Sequence, residues 1–394
     1  MKKKFACLAM AMVMVLSLAA CGGKKEEAPA AAPAESGSDS SVSVFKVGTI
    51  GPLSGDAAIY GQAVANGAKI AVDEINAAGG AIQFELQSQD DEADGEKSVN
   101  AYNTLMDWGM QVMVGPTTTG ASIAVSAQAN ADRTFMLTPS ASSPDVTAGK
   151  DNVFQVCFTD PNQGVASADY ISANMAGAKV AVIYRNDDAY SQGIRDTFVS
   201  EAADKGLEVV YEGTFTADTA TDFSVQLTGA QSAGADTVFL PIYYQPASVI
   251  LNQANAMGYE PTFFGVDGMD GILTMEGFDT SLAEGVMLLT PFSADAEDAR
   301  TQTFVKAYQD QFGETPNQFA ADAYDAVYIY AAALEAAGCT ADMSSADICE
   351  ALVGVMTTIS VDGLTGQGMT WDASGAVTKA PMAVIIENGT YVLP

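Results

Sequence analysis

The sequence predicts an α/β protein made of two similar lobes. The chain has 394 residues, a length that suits two domains. Short apolar runs of strand character alternate with amphipathic helical stretches, which is the pattern of a parallel sheet covered by helices. This alternation stops after Phe158 and restarts at Lys179. We therefore expect two α/β blocks that face each other across a cleft.

Composition narrows the range of functions. Hydrophobic residues make up 48% of the chain, enough for two packed cores, and 17 Lys and Arg stand against 49 Asp and Glu. The formal net charge of −32 repels phosphate backbones, so nucleic acid is excluded as a partner. Histidine is absent from the sequence, which excludes Ser-His-Asp and Cys-His catalysis and histidine-bound zinc. We expect no catalytic residues, no metal and no cofactor.

Residues 1–20 have the pattern of a secretion signal. Three lysines at 2–4 precede an apolar stretch, Phe5–Leu18, which is short for a membrane span. The stretch ends in Leu18-Ala19-Ala20-Cys21-Gly22, which resembles the lipobox of bacterial lipoproteins. The resemblance implies cleavage before Cys21 and acylation of that residue. Residues 21–43 then read as a flexible, lipidated linker, so the folded part would lie outside the cytoplasm, anchored to the bacterial cell membrane.

The first block is predicted to open with a strand at 44–50. Apolar residues spaced by three and four from Tyr60 predict a helix that stops at Gly79-Gly80. The remaining elements of this block are predicted as strands at 82–87, 110–114 and 134–137 and as helices at 98–108 and around 123–131.

The second block repeats the alternation and ends in helices and a hairpin-like tail. Its strands are predicted at 179–184, 208–215, 237–242, 262–265 and 285–289, and its helices at 191–205, 223–233 and 247–257. Helices at 297–312, 318–337 and 345–356 and a tail with hairpin character at 368–393 follow.

Two successive strand ends of the first block are rich in small hydroxyl side chains. The strand at 110–114 runs into Gly115–Gly120, and the strand at 134–137 ends in Thr138–Pro144. In an open α/β sheet, ligands bind where strands end and helices begin. Free backbone N–H groups and the helix dipole favour an anionic group there. Two such loops side by side predict a pocket for a small zwitterion.

From Val44 to Pro394 the chain resembles the branched-chain amino acid-binding proteins of ABC importers, which have a type I periplasmic-binding-protein fold. The resemblance rests on Gly51-Pro52-Leu53-Ser54-Gly55, Tyr60-Gly61, Ile75-Asn76-Ala77-Ala78-Gly79-Gly80, Asp90-Asp91, Val114-Gly115, Thr138-Pro139-Ser140-Ala141-Ser142, Tyr190-Ser191-Gln192-Gly193 and Thr370-Trp371-Asp372.

The resemblance implies two Rossmann-like lobes joined by a three-strand hinge, with the ligand cleft between them. Crossovers near Phe158, Pro291 and Gly368 would give an N-terminal lobe of 44–158 plus 292–368 and a C-terminal lobe of 159–291 plus 369–394. It further implies closure of the lobes over the ligand and docking on a membrane permease. We expect the protein to act as a monomer.

The resemblance also implies a set of ligand-binding residues. Thr119 would hold the ligand carboxylate, Ser142 would reach both the carboxylate and the ammonium, and Asp267 would pair with the ammonium from the opposite lobe. The other expected contacts are the Ser140 carbonyl, the neighbouring residues Thr117, Thr118 and Ala141, and the aromatic walls Tyr60, Tyr190 and Tyr243. Tyr244 cannot share the cleft with Tyr243 if both extend a strand.

Two departures from the family pattern leave the ligand open. Thr117-Thr118 stand where the family often has apolar or cysteine side chains, and the ammonium partner is Asp267 instead of the longer glutamate. A more polar or slightly displaced pocket follows. The leading interpretation is a lipoprotein that captures a branched-chain amino acid for an ABC importer. The alternatives are a receptor for a polar amino acid, amide or urea-type solute, a secreted hydrolase, and a ligand-sensing module.

Cysteine positions leave one structural question open. Cys339 and Cys349 flank a short segment, and in an oxidising compartment they either form a disulfide or remain free. Cys157 follows an apolar strand and is expected to be a buried thiol.

Overall fold

Two mainly parallel sheets, one in each lobe, organise residues 42–394, the part of the chain that the computed structural model describes. The predicted signal segment, the lipidation position Cys21 and the linker up to residue 41 lie outside the described residues. Over the described range, no helix has both the length and the apolar character needed to cross a membrane.

The sheet of the first lobe has five parallel strands in the order β2-β1-β3-β4-β5. Strands β3 and β4 are buried throughout and mainly apolar, as expected for central strands covered on both faces, whereas the edge strand β2 is largely polar and buries only Phe84. The strands are β1 (Ser43–Gly51), β2 (Ile82–Asp90), β3 (Val112–Val114), β4 (Phe135–Thr138) and β5 (Val153–Gln155), and the helices between them are α1 (Ala58–Ala78), α2 (Gly95–Trp108) and α3 (Thr119–Asp132).

The sheet of the second lobe has seven strands in the order β12-β11-β10-β9-β8-β6-β7, of which β11 alone runs antiparallel to the rest. Its strands are β6 (Lys179–Arg185), β7 (Glu208–Phe215), β8 (Thr237–Leu240), β9 (Thr262–Gly265), β10 (Met287–Thr290), β11 (Met382–Glu387) and β12 (Thr390–Val392). Its helices are α4 (Asp160–Asn174), α5 (Ala189–Lys205), α6 (Ser224–Ser232) and α7 (Tyr244–Met257).

Three later helices return to the first lobe: α8 (Ala299–Phe312), α9 (Gln318–Ala337) and α10 (Ser345–Met356). Helix α9 packs closely against α1, where a side chain at Gly67 would place its Cβ only 2.0 Å from the Ala320 carbonyl oxygen. The Tyr330 hydroxyl of α9 donates to the Met113 carbonyl at 2.6 Å and so ties the helix to β3. These contacts hold the start of α9 at the cleft.

The chain crosses between the lobes three times, and the third crossing lies later than predicted. Trp371, expected in the second lobe, donates its indole N–H to the Gln155 carbonyl of β5 at 2.8 Å. Gln155 in turn donates its backbone N–H to Gly375 at 2.9 Å. These bonds keep residues 369–379 on the first lobe, so the predicted boundary at 368 is wrong. The third crossing falls between Lys379 and Met382, where β11 begins.

Helix α4 was not predicted, although it is a full element of 15 residues. It begins with Asp160-Pro161, and the Thr159 hydroxyl accepts the Asn162 N–H as its cap. Its buried face carries small or polar residues, among them Gln163, Gly164 and Ser167, instead of a stripe of large apolar side chains. A helix of this kind has no clear hydrophobic period to find.

The disulfide left open between Cys339 and Cys349 is not formed, and both residues are buried free thiols. Cys349 on α10 faces the Asn152 side chain, while Cys339 lies in the turn that follows α9. The two side chains therefore occupy different surroundings. Cys157 is also a buried free thiol, as expected.

Candidate functional site

The predicted loops of both lobes meet at the carboxyl ends of the parallel strands. In the first lobe they follow β3 and β4, and in the second lobe they follow β6, β8 and β9. Together they line one small cavity with a volume of about 20 Å³. Its walls are Tyr60, Thr117, Thr118, Thr119, Ser140, Tyr190, Tyr243, Asp267, Gly268 and Phe319.

The first-lobe wall is the start of helix α3. Thr118 occupies the N-cap position, yet its side chain caps no backbone N–H of the helix. The Thr118 hydroxyl is buried and has no hydrogen-bond partner among residues 42–394. Thr119 is the first residue of the helix and is also buried. An uncapped helix start with an unpaired hydroxyl beside it is suited to an anionic group such as a carboxylate.

Two neighbouring hydroxyls are already used to shape this wall. The Thr117 hydroxyl donates to the Ile50 carbonyl at 3.2 Å, which joins the loop after β3 to the end of β1. The Ser140 hydroxyl donates to the Thr117 carbonyl at 2.6 Å, which joins the loops after β3 and β4. The two side chains therefore hold the loop that presents Thr118 and Thr119.

The second-lobe wall is built around Asp267. The Tyr190 hydroxyl donates to Asp267 Oδ1 at 2.5 Å, and the Gln163 side-chain oxygen accepts the Asp267 N–H at 3.1 Å. The next residue, Gly268, donates its N–H to the Tyr190 hydroxyl at 2.9 Å. A Cβ at Gly268 would lie 2.5 Å from that hydroxyl, so glycine is required for this close approach.

Asp267 is a buried carboxyl with strongly altered acidity. Burial is the main cause, and it raises the pKa of Asp267 to about 7, although the hydrogen bond from Tyr190 and the neighbouring Gln163 amide act in the opposite direction. The side chain lies in the second lobe and faces a cavity whose other wall is the start of α3. A ligand ammonium would satisfy this carboxylate, and an attached carboxylate group would reach the first lobe.

The Tyr60 hydroxyl joins the two lobes directly. It donates to the Gly268 carbonyl and accepts the Tyr244 backbone N–H at 3.1 Å, so a first-lobe side chain makes two bonds to the second lobe. Gln318 at the start of α9 adds a further bond, from its side-chain amide to the Asp267 carbonyl at 3.2 Å.

Aromatic rings occupy most of the space between the two walls and leave only the small cavity free. The Tyr190 and Tyr243 rings stack with centroids 4.9 Å apart, and the Phe319 ring lies 4.5 Å from that of Tyr60. Tyr244 packs on Tyr60 at 4.9 Å and does not line this cavity. The two tyrosines stand at the start of helix α7 instead of extending strand β8, so the strand argument does not apply to them. Because about 20 Å³ leaves room for about one water molecule, an amino acid requires the rings or the lobes to move apart.

Two predicted contact residues lie behind the cavity wall instead of on it. Ala141 packs in the core of the first lobe, and its carbonyl accepts the Gln155 side-chain amide at 2.8 Å. The Ser142 hydroxyl lies beside the buried Asp160 carboxyl, and the Ser142 carbonyl accepts the Asp160 N–H at 3.0 Å. In this arrangement neither side chain reaches the space that Thr119 and Asp267 share.

The sequence analysis did not assign three residues of the site. Gly268 could have been found from its place next to Asp267, because a glycine beside a binding carboxylate indicates close approach. Gln163 belongs to the helix that was not predicted. Phe319 stands at the start of the predicted helix at 318–337, but only tertiary packing brings that end of α9 to the cleft.

A wider space of about 540 Å³ adjoins the small cavity and shares Thr118 and Tyr243 with it as walls. Its lining includes apolar Phe215 and Ile242 together with an ion pair in which Arg185 Nε lies 2.7 Å from Asp187. A ligand side chain that leaves the small cavity on this side would meet apolar and charged groups.

Comparison with known proteins identifies a family that has this fold and a cleft between two lobes. A profile of periplasmic binding proteins matches residues 44–390. The chain belongs to the periplasmic binding protein family. Its architecture is the type I form of that fold, as the sequence predicted.

Individual relatives of this periplasmic binding protein cover most of its length. A Leu/Ile/Val-binding protein homolog of Brucella melitensis is 33% identical over 318 residues, which is 78% of this chain and 82% of the relative. The solved branched-chain amino acid transporter substrate binding protein of Streptococcus pneumoniae, in complex with isoleucine, is 31% identical with a TM-score of 0.79. That match covers 88% of this chain and 97% of the other.

The same fold also occurs in more distant solute-binding proteins. One from Rhodopseudomonas palustris, solved in complex with benzoate, is 22% identical with a TM-score of 0.78 and covers 89% of this chain and 95% of the other. That likeness shows the fold alone. The ligand of this chain must therefore be argued from its own cleft.

Proposed function

We propose that this protein is the extracytoplasmic solute-binding component of an ABC importer and that it captures a branched-chain amino acid. The observation that carries the proposal is the position of Asp267 opposite the start of α3 across one cavity. An α-amino acid has an ammonium and a carboxylate on one carbon, so it can meet both groups at once. The Leu/Ile/Val-binding relatives support the branched-chain class.

In the proposed mechanism the lobes close over the ligand and the ligand leaves chemically unchanged. Asp267 takes the ammonium, and Thr118, Thr119 and the N–H groups at the start of α3 take the carboxylate. The rings of Tyr60, Tyr190 and Tyr243 cover the apolar part of the ligand. The Tyr60 hydroxyl then joins the lobes, as in the arrangement described above. Ser142 and the Ser140 carbonyl stay in the proposal as groups that a shift of the loop after β4 would bring to the ligand.

Delivery to a membrane permease and attachment to the membrane complete the proposal. Acylation at Cys21 would anchor the protein through a linker of about 20 residues, which in an extended chain reaches some tens of ångströms. The folded part would act as a monomer outside the cytoplasm. Substitution Cys21→Ser is expected to move the protein from the membrane fraction to the soluble fraction without changing its ligand affinity.

A receptor for a polar amino acid or amide is the second candidate. It is favoured by the charged lining of the adjoining space, where Arg185, Asp187 and Asp188 lie beside Tyr243. A polar ligand side chain could bond to these groups, whereas a leucine side chain would leave them without a contribution to affinity.

Isothermal titration calorimetry with leucine, isoleucine, valine, asparagine, glutamine, acetamide and urea tests both candidates. Binding of the three branched-chain amino acids above the others supports the proposal, and preference for asparagine or glutamine supports the second candidate. Asp267→Ala is expected to weaken amino acid binding more than tenfold, because it leaves a buried ammonium without a partner. Turnover of any of these compounds would instead support a hydrolase.

A further inference from the structure

The second lobe places a carboxylate on the first turn of a helix that belongs to the first lobe. Asp270, in the loop after β9, accepts the Gln318 backbone N–H on its Oδ2 at 2.9 Å. Gln318 is the first residue of α9, a helix of 20 residues. The two residues are 3% and 2% exposed, so the bond is shielded from water. Asp270 therefore joins the lobes directly.

The position of Asp270 matches the electrostatic character of this helix end. The N–H groups of a first turn have no partner within their helix, and the helix dipole places positive charge there. The first lobe supplies one cap of its own, since the Asn317 side chain accepts the Ala320 N–H at 3.2 Å. The Gln318 N–H is left to the second lobe. A carboxylate from that lobe stabilises the helix end only while the lobes are together.

The second lobe holds Asp270 in place for this contact. The carboxyl also accepts a hydrogen bond from the Tyr391 hydroxyl of the terminal hairpin. The Asp270 backbone N–H donates to the Asp267 carbonyl at 2.9 Å, which closes the short turn between the two aspartates. The carboxyl is thus fixed by its own lobe before it reaches the helix of the other.

The same turn connects the contact at α9 with the ligand site. Asp267 begins the turn and lines the small cavity, whereas Asp270 ends the turn and bonds to α9. The Asp267 carbonyl accepts the Gln318 side-chain amide at 3.2 Å in addition to the Asp270 N–H. The residue that would hold the ligand ammonium and the residue that contacts the other lobe therefore belong to one hydrogen-bonded unit.

We propose that Asp270 is a positioning residue of the binding step, which holds the lobes closed by capping α9 from the opposite lobe. Asp270 does not line the ligand cavity, so it acts on affinity through closure. Because the bond to Gln318 forms only in the closed arrangement, a ligand that prefers this arrangement gains affinity from it by linkage. The effect on affinity rests on the proposed function, whereas the effect on closure does not.

The donor of this bond can be removed, because proline has no N–H and is well tolerated at the first position of a helix. Gln318→Pro removes the backbone donor and the side-chain amide, whereas Gln318→Ala removes only the amide. Calorimetry with L-leucine should give an affinity about tenfold lower for Gln318→Pro than for Gln318→Ala. Asp270→Asn should weaken leucine binding about tenfold in wild type and should not weaken it further in Gln318→Pro.

Asn317→Ala is the matched control, because it removes a cap at the same helix end that comes from the first lobe itself. It should lower the free energy of unfolding and leave the affinity for leucine within about twofold. Small-angle X-ray scattering with saturating leucine should show a larger open fraction for Gln318→Pro and Asp270→Asn than for Asn317→Ala. Circular dichroism checks that the variants are folded. If Asp270→Asn does not fold, the comparison of Gln318→Pro with Gln318→Ala decides.

The role of Asp270 is rejected if Gln318→Pro and Gln318→Ala bind leucine equally. It is also rejected if Asp270→Asn weakens binding to the same extent in wild type and in Gln318→Pro. If wild type binds no leucine, the branched-chain assignment fails, and scattering of the ligand-free proteins decides the role of Asp270 instead. Gln318→Pro must then be more open than Gln318→Ala, and equal scattering curves overturn the proposal.

Discussion

The Tyr190 hydroxyl donates to Asp267 Oδ1 at 2.5 Å and at the same time accepts the N–H of Gly268 at 2.9 Å. This arrangement fixes the carboxyl in the cavity and supplies it with one donor. Burial nevertheless dominates and raises the pKa of Asp267 to about 7, so the carboxyl loses its proton near neutral pH. An ammonium ligand needs the ionised form. Protonation and ligand binding therefore compete for the same oxygen atoms.

The first prediction concerns the pH dependence of amino acid binding. With a pKa of about 7, roughly half of the Asp267 carboxyls are ionised at pH 7 and about one tenth at pH 6. Affinity for the amino acid should therefore fall about fivefold from pH 7 to pH 6 and level off above about pH 8. Calorimetry at pH 6, 7 and 8 measures the affinity for the amino acid at each pH. Asp267→Asn should bind weakly at all three values, and a flat profile for wild type would contradict the competition.

The second prediction is that Asp267→Asn stabilises the protein against unfolding while weakening binding. A carboxyl whose folded pKa is raised binds its proton more tightly when folded, so its contribution to stability is lost as pH rises from 3.8 towards 7. At pH 8 the cost in wild type is up to about 4 kcal/mol, which the neutral asparagine avoids. At pH 5 the free energy of unfolding of Asp267→Asn should exceed that of wild type by about 1–2 kcal/mol. Urea unfolding without ligand at both pH values gives the difference.

Asp107→Asn provides the control for this comparison. Asp107 is an exposed residue of α2, so its replacement should change the free energy of unfolding by less than about 0.5 kcal/mol at either pH. If Asp267→Asn behaves like Asp107→Asn, then burial does not raise the pKa of Asp267 in solution as argued.

Much of the fold was predictable because it rests on local patterns. Strand β7 was predicted with its observed bounds, 208–215, since alternating and β-branched residues lie between a glycine turn and a polar loop. Strand β8 was predicted too long, as it ends at Leu240 before Pro241, which has no N–H to give to a sheet. The wrong third crossing has a non-local cause. Trp371 and Gly375 bond to β5, a strand more than two hundred residues earlier, and no pattern in the tail indicates that partner.

The residues of the site also fall into two groups, those that local sequence patterns predict and those that tertiary packing places. Thr118, Thr119 and Asp267 follow strands directly, so the rule for strand ends brings them to one edge of each sheet. Phe319 and Gln163 reach the site through helix packing, which a single sequence does not reveal. Ser142 was assigned by resemblance to a contact that this arrangement does not make, because its hydroxyl lies beside Asp160.

The third prediction concerns the bond between the lobes at Tyr60. Tyr60→Phe keeps the ring but leaves the Gly268 carbonyl and the Tyr244 N–H without their partner when the cleft is closed. An unsatisfied buried group costs about 1–3 kcal/mol, so amino acid affinity should fall by about fivefold to a hundredfold. Small-angle scattering with saturating ligand should show a smaller closed fraction.

Tyr308→Phe is the matched control for the change at Tyr60. The Tyr308 hydroxyl is also buried, but it accepts from Asn66 at 3.4 Å, within the first lobe. Its loss should lower the free energy of unfolding modestly and leave the affinity unchanged. Equal affinities of the two variants would mean that the Tyr60 bond does not contribute to closure.

The fourth prediction concerns a buried ion pair just before the third crossing. Lys379 Nζ lies 2.7 Å from Asp322 Oδ1, and both side chains are almost fully buried. Burial raises the pKa of Asp322 to about 6, with Lys379 acting in the opposite direction. Lys379→Met removes the cation and leaves the carboxylate buried and unpaired, so the free energy of unfolding at pH 8 should fall by about 3–5 kcal/mol.

Urea unfolding at pH 8 and pH 5 separates this effect from a simple loss of packing. The loss in Lys379→Met should be smaller at pH 5, because Asp322 is then mostly protonated and no longer needs a cation. Replacing both partners, as in Lys379→Met with Asp322→Leu, should recover most of the stability, since no buried charge remains. Lys306→Met, which removes an exposed pair with Asp310, should cost less than about 0.5 kcal/mol. A loss in Lys379→Met no larger than this, or one that is the same at both pH values, would show that the buried pair does not hold the crossing in place.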